Sequence, residues 1–258
     1  MARSGIEVQK STIKALFFRE LSTRFGKFRL GYLWAIIEPA AHLLVLLSIF
    51  SFIMHRTMRD ISFPVFLLNG IILYLIFSSI VNRSIGAIDA NKGLFNYRPV
   101  KPIDTVLSRA FLESVIYLTV YVLLMGCIWA AGEHFVLLDL LQLALSWGLM
   151  ILFSSSIGII VMTIGSVFTE THKILPILLK PLYFISGVMF PLQSIPEKYW
   201  PFLLWNPILH AVELSREAII PGYVSVGVSI DYLAIATLCT IFIGLAIYRT
   251  REEAMLTS

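Results

Sequence analysis

Charge is scarce in this chain: Asp, Glu, Lys and Arg make up 14% of its 258 residues, against about 25% in a soluble globular domain. Hydrophobic residues fill 58% and the mean hydropathy is +0.84. Such a composition excludes an ordinary soluble protein, points to several membrane spans, and leaves no room for a separate soluble domain of ordinary size. Cysteine is nearly absent as well. Cys127 and Cys239 both lie within apolar runs, where a thiol acts as a small hydrophobe, so neither a disulfide framework nor a redox compartment is indicated. No G-x-x-x-x-G-K-[ST] phosphate loop occurs, so the chain is not expected to hydrolyse ATP by itself. H-E-x-x-H is missing too, and His42, His55, His134, His172 and His210 are scattered, which argues against a metal centre.

Long apolar runs are what the chain has. A bilayer core of about 30 Å needs roughly 17–25 apolar residues per helix, and six runs qualify, over 33–54, 63–81, 106–129, 140–164, 174–190 and 232–248, the last two near the lower limit. These predict an all-α integral membrane protein of six spans in one domain, 1–258. An even number of crossings leaves both termini on one side. That side carries 14 Lys and Arg against four on the other, which places the termini in the cytoplasm and accounts for the net charge of +4 without a nucleic-acid partner. The charged N-terminus and the late first run predict no cleaved signal peptide.

Before the first span, Ile13, Phe17, Leu21, Phe25 and Phe28 recur at helical spacing, with Arg19, Glu20, Ser22, Thr23 and Lys27 opposite. This predicts an amphipathic interface helix over 8–30, with Lys14 and Arg24 breaking its apolar face; a basic topology anchor with no other role is the alternative. Between the fifth and sixth spans, 191–231 is long and apolar, with Trp200, Trp205 and five prolines. Too interrupted to span, it is expected to form short helices dipping into the outer interface, its tryptophans in the aromatic belt. Such re-entry belongs to transporters and channels.

Ionisable groups within spans are costly and are functional candidates by default. Glu38 and His42 lie one turn apart in the first span and either line a polar cavity or hold a bent helix at Pro39. Lys180 sits mid-span, where it must meet a carboxylate such as Glu38 or Glu113, or an anionic substrate. Arg109 and Glu113, a turn apart, can pair with each other. Ser154, Ser155 and Ser156 with Gly158 admit a serine-nucleophile reading, but no G-x-S-x-G elbow surrounds them and a small-residue packing face explains them better. In the second cytoplasmic loop, N-K-G-L-F-N-Y-R-P-V-K-P (91–102) sets Leu94, Phe95 and Tyr97 as an apolar knob among basic residues. It is either a docking point for another protein or a loop packed on its own bundle.

Four stretches are specific enough to name a family: F-G-K-F-R-L-G-Y-L-W-A-I-I-E-P (25–39), Y-R-P-V-K-P-I-D (97–104), L-P-I-L-L-K-P-L-Y-F-I-S-G-V-M-F-P (175–191) and W-N-P-I-L-H-A-V-E-L-S-R-E-A (205–218). The chain resembles, end to end, the membrane subunits of ABC-2 type exporters, and within them the capsular polysaccharide permeases. The resemblance implies a homodimer in the bacterial inner membrane on two separate ABC ATPase subunits, which hold the ATP and Mg, with no cofactor in this chain. It implies the interface helix, a cytoplasmic coupling helix within 91–105 and external gate helices within 191–224. The implied cargo is a lipid-linked, commonly acidic polysaccharide handed on to periplasmic and outer-membrane export proteins.

On that resemblance, Leu94, Phe95, Tyr97, Arg98 and Pro99 are expected to couple to the ATPase, and Trp200, Trp205, Asn206, Pro207, Glu213 and Arg216 to form the external gate. A polyanion crossing hydrocarbon needs a polar or aromatic path. Arg24, Lys27, Arg29, Arg83 and Arg98 can attract it at the cytoplasmic mouth or instead anchor the chain to anionic lipid. Trp34, Glu38, His42, Lys180 and Tyr183, with Tyr74 and Phe184, are the candidates further in. Two alternatives stand beside this reading: an exporter of O-antigen, teichoic acid or a drug on the same fold, and an intramembrane transferase. A scaffold that only binds partners is a third.

Overall fold

A computed structural model describes residues 5–25, 31–54, 61–95, 100–133 and 135–257, and every regular element among them is helical. In chain order these are α1 (Gly5–Phe25), α2 (Trp34–Met54), α3 (Phe63–Ile85), α4 (Lys92–Phe95), α5 (Pro102–Ala130), α6 (Leu140–Gly165), α7 (Thr171–Ile185), α8 (Pro207–Glu217) and α9 (Ile230–Thr257). Local chemistry sets several starts. Pro64 and Pro102 occupy the first turns of α3 and α5, where no backbone donor is missed. Asp139 caps α6 by accepting from the Gln142 amide at 2.9 Å, and the Asp104 carboxylate accepts from the Lys101 amide at 3.1 Å ahead of α5.

Helices α3, α5, α6 and α9 are long and apolar enough to cross a membrane, and the apolar part of α2 is shorter. Helix α3 lies at the centre, packed by α2, α5, α6, α7 and α8, whereas α9 leans mainly on α6 and turns Leu238, Phe242 and Ile243 outward. An apolar exterior of this kind matches hydrocarbon as the solvent. Close approach of α6 depends on glycine. A Cβ on Gly158 would lie 2.6 Å from Ser84 Oγ, and one on Gly244 of α9 would lie 3.1 Å from the Ser156 carbonyl. The hydroxyls of Ser154, Ser155 and Ser156 donate to carbonyls of their own helix, and Ser156 also meets Thr240 at 2.8 Å. The Ser-Ser-Ser-x-Gly run is therefore a helix-packing face.

One end of the bundle gathers α1, α4 and the end of α9. Gln9 donates to Asp104 at 3.1 Å, Lys101 meets Glu252 at 2.9 Å, and Phe95 packs on a cluster that includes Val106, Met162, Tyr248 and Met255. Several expected boundaries change. The second, third and sixth runs extend into longer helices, and α9 continues unbroken through the tail to Thr257. Within 91–105, expected to hold a coupling helix, the described residues include the four of α4 and the first turn of α5. The fifth run is not one helix over 174–190. At 15 residues, α7 measures only about 22 Å, and the chain turns away through Gly187 at φ +68, where a Cβ would sit 2.5 Å from Leu209 Cδ1.

Candidate functional site

The segment 191–229, expected to lie outside the membrane, folds back into the protein. After two short 3-10 turns, Leu192–Ser194 and Glu197–Phe202, α8 begins at Pro207, capped by Asn206, whose side-chain oxygen accepts from the Ile208 amide at 3.1 Å. Asn206 also donates to Ser186 Oγ at 2.9 Å. Every residue of α8 from Ile208 to Arg216 is buried, against α3, α6 and α9. Arg216 and Glu213, expected at an external gate, are both fully buried and pair at 2.9 Å. The guanidinium also donates to the carbonyls of Gly187 at 2.7 Å, Val188 at 2.8 Å and Phe66 at 3.2 Å, and lies 3.5 Å over the Phe66 ring. Tyr223 donates to the other Glu213 oxygen at 2.5 Å. The pair is thus a clamp holding the turn after α7, helix α8 and the centre of α3 together.

The outer rim is held by a histidine. His210 Nδ1 accepts from the Ser229 amide at 3.0 Å, so its proton sits on Nε2, which donates to the Leu204 carbonyl at 2.8 Å. The ring stacks on Tyr232 at 4.5 Å, and burial pushes its pKa down, which keeps it neutral. Trp200 and Trp205 donate to the carbonyls of Ile195 and Phe202, and the Trp205 ring is exposed, as an outer aromatic anchor would be.

At the opposite end, two ion clusters fasten α1 to the bundle. Glu20 accepts from Arg109 through both Nε and Nη2, at 3.0 and 2.9 Å. Glu113, buried on α5, takes Arg24 of α1, Arg83 of α3 at 2.9 Å and the Ser79 hydroxyl at 2.7 Å. Arg19 reaches Asn91 beside α4. Three expectations change here. Arg109 and Glu113 do not pair with each other, because each meets an opposite charge presented by another helix. Arg24 and Arg83, expected at a cytoplasmic mouth, both pair with Glu113, and Arg83 keeps 38% of its side chain exposed. Glu20, assigned to the polar outer face of α1, points inward with Leu16, so α1 binds through charge as much as through its apolar stripe.

Between α2, α3 and α7 lies a cleft of about 430 Å³, lined by His42, Tyr74, Ser78, Asn82, Lys180 and Tyr183 together with Leu75, Pro176, Leu179 and Phe184. Tyr183 and His42 share a hydrogen bond at 2.9 Å, with rings stacked at 5.5 Å, and Tyr74 meets Tyr183 edge-on at 4.9 Å while its hydroxyl donates to the Leu179 carbonyl. Among the described residues, no carboxylate lies within 4.0 Å of the Lys180 ammonium. The cleft therefore offers one cation, aromatic faces and hydroxyl and amide donors, a set suited to sugar rings bearing anions. Of the expected path residues, His42, Lys180 and Tyr183 meet here. Trp34 and Glu38 are exposed on α2 outside the lining, while Lys27 and Arg29 lie outside the described residues.

Of the coupling residues, Leu94 and Phe95 are half-buried and Phe95 rests on its own bundle; Tyr97, Arg98 and Pro99 lie outside the described residues. Sequence reasoning missed Asn69, whose side chain takes the Tyr121 hydroxyl at 3.1 Å and lies 3.4 Å from Ser215 Oγ, as well as Ser78, Asn82 and Tyr223. An asparagine inside an apolar run was the available signal.

The structure thus has a short buried helix folded back into one end of the bundle, a charge-fastened helix at the other and a polar cleft beside α3, and the chain belongs to the ABC-2 type transporter family, whose match covers residues 11–220. It is 69% identical over 258 residues, the whole of both chains, to the polysialic acid transport protein KpsM of Escherichia coli. It is 27% identical over 257 residues to the capsule polysaccharide export inner-membrane protein BexB of Haemophilus influenzae, covering 98% of this chain and 96% of that one. To the corresponding protein CtrC of Neisseria meningitidis serogroup A it is 27% identical over 240 residues, 93% and 91% of the two chains.

Proposed function

We propose that this chain is the inner-membrane permease of an ATP-driven exporter of capsular polysaccharide, working as a homodimer on two separate ABC ATPase subunits. The observation that carries the reading is the full-length identity of 69% to a polysialic acid transport protein. The cleft between α2, α3 and α7 supports a lipid-linked acidic cargo, since among the described residues Lys180 meets no carboxylate there and Tyr74, Tyr183 and His42 offer stacking faces. In this reading the chain crosses six times, with α2, α3, α5, α6, α7 and α9, and α8 with the 3-10 turns before it closes the outer side. Both termini are cytoplasmic. The excess of Lys and Arg on that side and the gathering of α1, α4 and the end of α9 at one end of the bundle support this parity.

Mechanistically, ATP and Mg sit on the partner subunits. The stretch 91–101 takes their movement, with Leu94 and Phe95 as contact points and Tyr97, Arg98 and Pro99 completing it. Arg19 to Asn91, Glu20 to Arg109 and Arg24 with Arg83 to Glu113 then make α1, α3 and α5 move as one piece at that end. Polymer passes between two copies and leaves toward periplasmic and outer-membrane export proteins. The test is to delete the gene in its host and restore it with and without the neighbouring ATPase gene. Polymer trapped in the cytoplasm after either single loss supports the reading, and normal surface polymer in the deletion overturns it. Lys180→Gln in the restored gene is expected to lower surface polymer severalfold with the protein still inserted.

A further inference from the structure

A second cavity shares no lining residue with the cleft. Helices α5 and α6 part along their outer faces to leave a groove of about 660 Å³, lined almost wholly by apolar side chains, among them Phe111, Leu118 and Tyr121 of α5 and Leu143, Trp147 and Ile151 of α6. It follows α5 from Leu107 to Tyr121, about 21 Å along the helix, which exceeds one leaflet's half of a hydrocarbon core of about 30 Å. Near its cytoplasmic end, Phe111 is also a wall of a second recess of about 310 Å³, formed by Lys10, Ile13, Lys14, Phe17 and Phe18 of α1. Phe17 and Phe111 touch with ring centroids 5.4 Å apart. The two recesses thus share a wall and both are apolar: Lys10 and Lys14 line the second with their aliphatic stems and are themselves exposed at its edge.

Lys10 and Lys14 lie one turn apart on α1, both exposed, and among the described residues neither has a carboxylate within 4.0 Å. This sets them apart from Arg24 and Arg109 on the same helix contact, which are spent on Glu113 and Glu20. We infer that the α5–α6 groove and the Lys10–Lys14 recess form one binding site for a glycerophospholipid with an anionic headgroup, drawn from the cytoplasmic leaflet. Its acyl chain lies along Phe111, Leu118 and Trp147 and its phosphate meets the two ammonium groups. Apolar length and charge lie in the order in which such a lipid presents them, tail toward the bilayer centre and anion at the surface. A bound lipid would brace α1 against α5 from the outside, where the Glu20–Arg109 pair braces it from within. The inference uses the cytoplasmic placement of α1 but not the identity of the cargo.

Trp147 in the groove reports on the site directly. The full chain is reconstituted in phosphatidylcholine vesicles doped with brominated-chain phosphatidylglycerol or brominated-chain phosphatidylcholine, and quenching at Trp147 is taken as the difference from Trp147→Phe. Two lysines near an anionic headgroup correspond to a preference of up to roughly 30-fold for phosphatidylglycerol. Half-maximal quenching is therefore expected at a severalfold or greater lower fraction of the anionic lipid. In Lys10→Gln/Lys14→Gln, which alters only exposed side chains, the two lipids are expected to quench alike. Equal quenching by both lipids in the unaltered chain, meaning unselective boundary lipid, overturns the inference. So does the absence of quenching by either, meaning that a second copy of the chain covers the groove. Surface polysaccharide in cells scores the export reading separately.

Discussion

Replacing Arg216 by alanine tests the account of the outer segment most sharply. Arg216 and Glu213 have no solvent exposure, so bulk screening does not weaken their interaction. Removing the guanidinium leaves a buried carboxylate with Tyr223 as its remaining donor, and breaking a buried pair from one side costs about 3–5 kcal/mol. It also strips a donor from the carbonyls of Phe66, Gly187 and Val188, each lost partner adding about 1–3 kcal/mol where no water replaces it. Taking the lower bound of about 3 kcal/mol and letting proteolysis follow the open population, cleavage within 191–229 should accelerate by at least roughly a hundredfold. The assay is external protease on the full chain in vesicles. The double replacement Glu213→Gln/Arg216→Met removes the lone charge but still leaves the three carbonyls, so it should recover only part of the loss. An acceleration below roughly tenfold in Arg216→Ala, or full recovery in the double variant, would refute the clamp.

Three further outcomes follow from the same geometry. Gly70→Ala sets a Cβ 2.6 Å from Arg216 Nη2 and 2.8 Å from the Val188 carbonyl, so it should lower thermal stability in detergent by about 1–3 kcal/mol and loosen the same external segment. Glu113→Gln should leave Arg24 and Arg83 without their carboxylate and free α1, read as faster proteolysis within 5–25. A double-mutant cycle with Arg24→Ala should give a coupling of about 0.5–3 kcal/mol, because Arg83 is half open to solvent and shares the site. His210 has a lowered folded pKa, so its contribution is complete above its ordinary value of about 6.5 and is lost as pH falls below that toward the folded value. Acidification below about 6.5 should therefore speed cleavage near 204–229, and His210→Gln should flatten that dependence.

Periodicity and scarcity carried the membrane architecture. Six apolar runs and the excess of cationic residues on one side are local or statistical properties, and bilayer physics turns them directly into expected helices and an expected orientation. The family was legible from four short motifs. Helix pairing was not, because it depends on which charges another element brings within reach. Arg109 and Glu113 stand a turn apart and look like partners, yet Glu20 and Arg24 of α1 take one each. The resemblance placed Arg216 in the external gate helices, but its burial depends on the return of α8 against Gly70, which no local pattern announces. The fifth span read as continuous since Ser186 and Gly187 are tolerated inside membrane helices, but the chain leaves the helix after Ile185 and turns through Gly187 at φ +68, where Leu209 packs too close to leave room for a Cβ. The sequence by itself determined the class of solvent, the number of apolar runs and the family. The tertiary structure decided which ionisable groups are locked in pairs and which, like Lys180, Lys10 and Lys14, stay available, because a charge in a membrane protein is defined by the partner that the fold does or does not bring to it.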